Sequence, residues 1–167
     1  IAKLKYTDTT GNELTGGYIF KIDKGSDPSW YSNYDIVSLP GSPIRFQYVY
    51  PKGDSIHPLQ AQYFQAYVDS FENAIASPTF MNSSGKRYDE YIDLASFIDN
   101  FLINEIGRNV DGYRISTYFH KEKGQKIKAG PYWDFNIAYG NGNYCNNWLS
   151  TGWMYDEFCD DGNPFWW

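Results

Sequence analysis

NEIGRNVDGYRIS, Asn104–Ser116, is the stretch on which the fold turns. Its first residues end a helical pattern that begins in YIDLASFIDNFLINEIGRN, where Leu94, Ile98, Phe101, Leu102 and Ile106 share one face. Gly107 and Asn109 suit the C-terminus of that helix. Glu105 sits on its apolar edge, seven residues after Ile98 and four after Phe101. Asp111 stands just past the helix end. Beyond it the period changes: YRISTYFHKEKGQKIKAGPYWD reads as two strands about a turn at Lys123-Gly124-Gln125, closing on Gly130-Pro131. A helix that hands over directly to a hairpin predicts a mixed α+β fold.

Working outward, the first third reads as strands. LTGGYIFKID alternates Tyr18, Phe20 and Ile22 against Ile19, Lys21 and Asp23, with Gly16-Gly17 at its entry. SPIRFQYVYP alternates Ile44, Phe46, Tyr48 and Tyr50 against Arg45, Gln47 and Val49, and stops at Pro51. Between them DPSWYSNYDIVSLPG is turn-rich and predicts a connection across one face. SIHPLQAQYFQAYVDSFENAIAS is strongly amphipathic: Leu59, Tyr63, Tyr67, Phe71 and Ile75 recur at steps of four, and Phe64, Val68 and Ala74 widen the stripe. Ser77-Pro78 ends it. From Ile137 to Trp167 no period emerges, which predicts loop with short helices at most. The chain thus reads as one α+β domain over residues 1–167: a small sheet, two main helices, a hairpin and a Cys-containing aromatic loop. It begins at Ile1 without Met and ends on NPFWW, and both ends read as cut from something longer.

With 42% apolar and 20% charged residues, the chain is not a disordered one. No apolar run approaches the roughly 18–20 residues needed to span a bilayer. Net charge is −6 and no basic block of five or more occurs, so nothing marks a nucleic-acid partner. Locally, Arg114, Lys121, Lys123, Lys126 and Lys128 face a single Glu122, which is either a solvated strand face or a site for an anion such as phosphate. The 16 Tyr, 11 Phe and 6 Trp suggest binding surfaces or an extracellular setting, beyond what the core must hold. Cys145 and Cys159, with no flanking His, do not make a zinc site; a disulfide between them is expected and would place the protein outside the cytosol.

His57 and His120 are the only histidines, and neither has a Ser or Cys elbow beside it, so a Ser/His/Asp hydrolase is not expected. A glycosidase with paired carboxylates rests on composition alone. KAGPYWDFN, Lys128–Asn136, poses a sharper question, because it sets Asp134 among Tyr132, Trp133 and Phe135. A carboxylate in apolar surroundings needs a partner: a base, a set of backbone N–H groups or a metal ion. An Asp in a helix-to-strand loop, a polar residue five positions later and a second Asp beyond the hairpin match the way protein kinases arrange a catalytic loop and a metal-holding Asp. Here the three are Asp111, Ser116 and Asp134, and Mg²⁺ or Mn²⁺ suits their oxygen ligands better than zinc. The same spacing also fits a turn or cap role for Asp111 and an Asp134 that accepts backbone N–H bonds.

GGYIFKID, YIDLASFIDNFLINEIGRNVDGYRISTYF and KIKAGPYWDFNIAYG together resemble the CotH kinase family, the spore-coat protein H type of atypical protein kinase. The most specific part is residues 93–140, with D-x-x-S-F, N-E-x-x-x-N-x-D, S-x-Y and G-P-x-W-D-F in order. The resemblance implies a divergent protein-kinase-like fold and transfer of phosphate from ATP, with Mg²⁺ or Mn²⁺, to Ser or Thr of secreted, surface or spore-coat proteins. It implies that Asp111 is the catalytic Asp and Asp134 the metal-binding Asp, with Glu105, Asn109 and Ser116 on further motif positions. It also implies a bacterial, extracytoplasmic protein and further domains in the full chain. Two departures stand out. Asn136 replaces the second carboxylate of the family's W-D-F-D, leaving an amide oxygen for the metal region, and Lys21 stands where an acidic residue is expected. No G-x-G-x-x-G or Walker-type loop occurs, so the nucleotide-binding residues are not legible. The family carries sequence ahead of the GGY strand, which implies a catalytic core short of its nucleotide lid. A second reading, from Asn136, Lys21 and the aromatic loop Tyr144 to Trp153, is a catalytically silent binding or adhesion module. In it Trp148, Trp153, Trp166 and Trp167 stack on a glycan or a protein.

Overall fold

The computed structural model describes residues 1–36 and 39–157. Five strands, β1 (Tyr18–Ile22), β2 (Ser29–Ile36), β3 (Leu39–Tyr50), β4 (Thr117–Lys121) and β5 (Ile127–Ala129), form one antiparallel sheet in the order β2-β3-β1-β4-β5. Two helices, α1 (Pro58–Ala76) and α2 (Leu94–Gly107), complete the α+β architecture, with short 3-10 turns at Gly11–Thr15, Tyr88–Glu90 and Met154–Asp156. Among the described residues no helix is long and apolar enough to cross a membrane.

The core follows from strand alternation. Tyr18, Phe20 and Ile22 of β1 are buried while Ile19 and Lys21 between them are partly open, the period of two expected of a half-buried strand. Phe20 is the centre: its ring lies 5.0 Å from Phe119 of β4, 5.2 Å from Phe64 of α1 and 5.8 Å from Phe46 of β3. Tyr18 stacks on Phe64 at 4.4 Å. Gly16 at the entry to β1 is required by a close approach, since a Cβ there would meet the backbone N of Lys123 at 2.2 Å. Helix α1 starts at His57, whose Nδ1 accepts from Leu59 N at 3.1 Å while Gln60 Oε1 accepts from His57 N at 3.2 Å.

Four expectations are corrected. The segment predicted as a connection is the strand β2, because Trp30 packs its ring 5.2 Å from Phe46 and 4.5 Å from Tyr48, and the backbone pairs with β3. On α1 the stripe is buried as predicted at Phe64, Val68, Phe71 and Ala74, with Tyr63, Tyr67 and Ile75 packed partly buried against the core, but its first residue, Leu59, is exposed. On α2 four of the five predicted apolar residues face outward: Leu94, Ile98, Leu102 and Ile106 are exposed, Phe101 packs partly buried against Val110, Tyr113 and Met154, and Phe97, Asn100, Asn104 and Gly107 are buried. The basic hairpin is not one solvated face: Arg114 and Lys121 are buried, Lys123 pairs with Glu13, and Lys128 lies 3.6 Å from Asp93. The expected Cys145–Cys159 disulfide depends on Cys159, which lies outside the described residues, as do Trp166 and Trp167.

Candidate active site

The inward asparagines of α2 build the loop that follows it. Asn104 Nδ2 donates to Asn100 O at 2.8 Å, and Asn109 Nδ2 donates to Asn104 Oδ1 at 2.9 Å. Buried amides are bonded in the large majority of cases, and this pair of bonds fixes the turn out of the helix. The turn leaves no room for a side chain at Gly112, where a Cβ would lie 2.1 Å from Asn104 Oδ1. Arg108, the left-handed C-cap of α2, reaches the other way: its guanidinium donates to the carbonyls of Asn146, Thr151 and Gly152 at 2.9–3.0 Å. Glu105 does similar work. Its carboxylate accepts from Tyr113 Oη at 2.7 Å, Met154 N at 2.7 Å and Tyr155 N at 3.0 Å. Burial first and the Glu105 carboxylate second push the Tyr113 phenol far up from its ordinary range. Glu105 and Asn109 are therefore placed as struts.

Asp111 is buried in the loop these struts hold. Its carbonyl accepts from Arg114 N and Ile115 N, and Arg114 Nη2 donates to its carboxylate at 3.2 Å. The carboxylate thus has a fixed orientation next to a cation. Ser116 and Asp134, distant in sequence, meet directly: Ser116 Oγ donates to Asp134 Oδ2 at 3.2 Å. Both have positive φ, 54° and 62°, a backbone region that costs a side-chain-bearing residue of order 1 kcal/mol or more and clusters at working sites. Asp134 is exposed, as are Tyr132 and Trp133 beside it. The carboxylate set among aromatics in the sequence belongs to an exposed residue, a correction to the expectation of burial. Asn136 is exposed too, and its carbonyl accepts from Asn141 Nδ2 at 2.6 Å.

A second acidic residue joins Asp134 at Ser116. Asp23, just past β1, accepts from Ser116 N at 3.4 Å through Oδ1. Its Oδ2 lies 3.2 Å from Lys21 Nζ, which also lies 3.1 Å from Asp27. Burial works to lower the Lys21 pKa, but the Asp27 and Asp23 carboxylates outweigh it and the net shift is upward. The loop bearing Asp23 is held from β3: Arg45 Nη2 donates to Asp23 O at 3.0 Å and Gly25 O at 2.6 Å, and Gln47 Nε2 to Lys24 O at 3.2 Å. Lys21 lies 5.9 Å from the centre of the Tyr118 ring, and Trp133 stands edge-on to that ring at 6.4 Å. Sequence reasoning reached Ser116 and Asp134 but missed Asp23. The signal was available, since the alternation of LTGGYIFKID sets Asp23 on the same side as Lys21.

Two carboxylates from separate elements thus converge on Ser116, while Asp111 is turned to Arg114. No group of three or more His, Cys, Asp or Glu converges as a metal cage among the described residues. That donor set fits Mg²⁺ or Mn²⁺, which take one or two carboxylates and complete their shell with water and phosphate oxygens. A family model described as CotH kinase protein matches residues 3–167.

The chain belongs to the CotH kinase family.

Membership of the CotH family covers nearly the whole chain, so the helix, hairpin and acidic cluster all lie within the matched region. No curated protein and no solved structure matches this CotH chain.

Proposed function

We propose that this CotH-family chain carries the phosphoryl-transfer centre of a protein kinase that uses ATP with Mg²⁺ or Mn²⁺. Its acceptor is a Ser or Thr of a secreted or surface protein, which puts the chain outside the cytoplasm. The observation that carries the reading is the meeting of Asp23 and Asp134 on Ser116, beside the Asp111 loop, in a chain of this family. Asp134, with Ser116, Asp23 and the Asn136 amide, would hold the metal, which supplies charge neutralisation on the phosphates when bound. Asp111 orients the acceptor hydroxyl, and Arg114 holds its carboxylate in place. Positioning and electrostatics make up most of phosphoryl-transfer catalysis, so a buried Asp111 on a strutted loop beside a half-buried Asp23 and an exposed Asp134 is a suitable set.

Calorimetric titration of ATP with Mg²⁺ or Mn²⁺ tests the reading. Asp134→Ala is expected to abolish metal-dependent nucleotide binding and, because Asp134 is exposed, to leave the circular dichroism spectrum and unfolding midpoint close to the parent's. Unchanged ATP binding in that variant would remove Asp134 from the metal site. A second reading, a binding module, is favoured by Trp148 and Trp153, which are 54% and 57% exposed. Glycan binding without nucleotide binding would select it.

A further inference from the structure

The two edges of the sheet are treated differently. The outer edge of β5 is closed: Ile127 N donates to Tyr91 O at 2.9 Å, Asp93 N to Ile127 O at 2.7 Å, and Ala129 N to Ser96 Oγ at 3.1 Å. At the opposite edge, β2 has no strand beyond it among the described residues. The register pairs Ser29 with Gln47, Trp30 with Phe46 and Tyr31 with Arg45, and Tyr48 N donates to Pro28 O at 3.0 Å. Bonds to one neighbour alternate along an antiparallel strand, so Pro28 and Trp30 point theirs at β3. Ser29 and Tyr31 then direct N–H and C=O away from the sheet, the arrangement that templates another strand.

Helix α1 overhangs this open edge. A groove of ≈ 560 Å³ runs between Trp30, Tyr31 and Asn33 of β2 and one stripe of α1 that includes Pro58, Ala61 and Asp69. From Pro58 to Asp69 the stripe spans eleven residue steps, about 16 Å of helix, which matches about five residues of extended chain. Ala61 keeps the helix side low, and Gln62 and Gln65 offer amides rather than an apolar surface. Asn33 Nδ2 donates to Asp69 Oδ1 and Tyr34 Oη to Asn73 Oδ1 at 2.9 Å, which close one end. The charged residues lining the groove are acidic: Asp69 is half-buried, while Glu72 is buried and accepts from Ser32 Oγ at 2.6 Å; no Lys, Arg or His lines it among the described residues.

We infer that this groove binds an extended peptide segment of a partner protein, added to β2 as a sixth strand, with a Lys or Arg side chain directed at Asp69. Main-chain bonds to Ser29 and Tyr31 supply affinity; the acidic end supplies selectivity. The site is separate from the Ser116–Asp134 centre and stands whether or not that centre transfers phosphate.

The probe is a set of octapeptides of alternating Thr and Val, with Lys, Arg, Gln or Glu at one central position, titrated into the ¹⁵N-labelled chain. The Lys and Arg peptides are expected to bind with a Kd below about 1 mM and to slow amide exchange at Ser29 and Tyr31. The Glu peptide should bind at least about fivefold more weakly, and Asp69→Asn should erase most of that difference while keeping the bond from Asn33. Methylating every second peptide N–H in one phase should abolish binding, and methylating the other phase should spare it, because only one set faces β2. Equal binding by both methylated phases, or no binding by any member below about 1 mM, overturns the inference. So does exchange protection at β2 that grows with protein concentration alone, since a second copy would then be the occupant.

Discussion

Glu105 accepts three hydrogen bonds in two directions, one from Tyr113 in the Asp111 loop and two from the amides that open the Met154–Asp156 turn. Removing it takes away a charged acceptor in a partly buried setting, leaving Tyr113 the longer bond to Phe101 O at 3.3 Å, and bonds to a charged group are the stronger kind. Glu105→Ala is therefore expected to lower unfolding free energy by about 3 kcal/mol, and Glu105→Gln by about half of that. Urea denaturation followed by fluorescence checks this; a parent-like midpoint for Glu105→Ala would deny the strut role. Gly112→Ala should also be costly, about 2 kcal/mol, because its Cβ displaces the buried Asn104 amide that holds Asn109. In an Asn104→Ala background that penalty should shrink, which a double-mutant cycle on the same denaturation curves would read.

The two faces of α2 make opposite demands. Ile98 and Leu102 are 49% and 46% exposed, so replacing both with Lys should change stability by less than about 1 kcal/mol. Asn104→Leu, which raises the apolar count of the helix, should cost about 2 kcal/mol or more by leaving the Asn109 amide buried without its acceptor. Thermal melts of the two variants should separate in that order; the reverse order would mean that α2 packs through its apolar stripe. The contrast also marks what the sequence could disclose. The period of α2 was legible, its phase was not, because burial of Asn100 and Asn104 depends on partners that only the folded loop supplies. In β1 and α1 large aromatics alternate with polar residues, and there the pattern read close to the structure. β2 was hidden in a run of Ser, Asn, Asp and Pro, and its strand state comes from pairing with β3 and from Trp30, a tertiary cause. At the site, spacing alone left a turn or cap role open for these residues, and it was the likeness to a kinase catalytic loop that set Ser116 beside Asp134; the exposure of Asp134 depended on how the loop turns.

For the molecule as a whole, stability should vary with pH in a way set by one lysine and its aromatic surroundings. Lys121 is 2% exposed, bonds to Thr15 O and lies 4.6 Å from the centre of the Tyr67 ring; burial brings its pKa down to about 8. Between about pH 8 and 10.5 the unfolded chain holds this proton and the folded chain sheds it, so unfolding free energy rises with pH, by about 3 kcal/mol at the outside. Tyr18 and Tyr67 act in the other sense: burial raises both phenols, so above about pH 10 the unfolded chain ionises first and stability falls. The parent should therefore show a maximum between these limits, and Lys121→Met should flatten the rising limb without touching the falling one. Denaturation midpoints from pH 7 to 11 would show it.

The central place of β1 also sets a timetable for synthesis. Its neighbour β3 follows it closely in the chain, and Tyr18–Ala76 leaves the ribosome with three strands and a covering helix already in hand. Its other neighbour, β4, arrives much later: Ile19 waits for His120. Until then Tyr18–Ile22 has one hydrogen-bonding flank bare in the nascent chain, and the most aromatic part of the core stays open where Phe119 will close it. The step that seals the core is thus the same step that brings Ser116 to Asp23, so a nascent chain stalled before β4 has neither a finished interior nor an assembled acidic cluster.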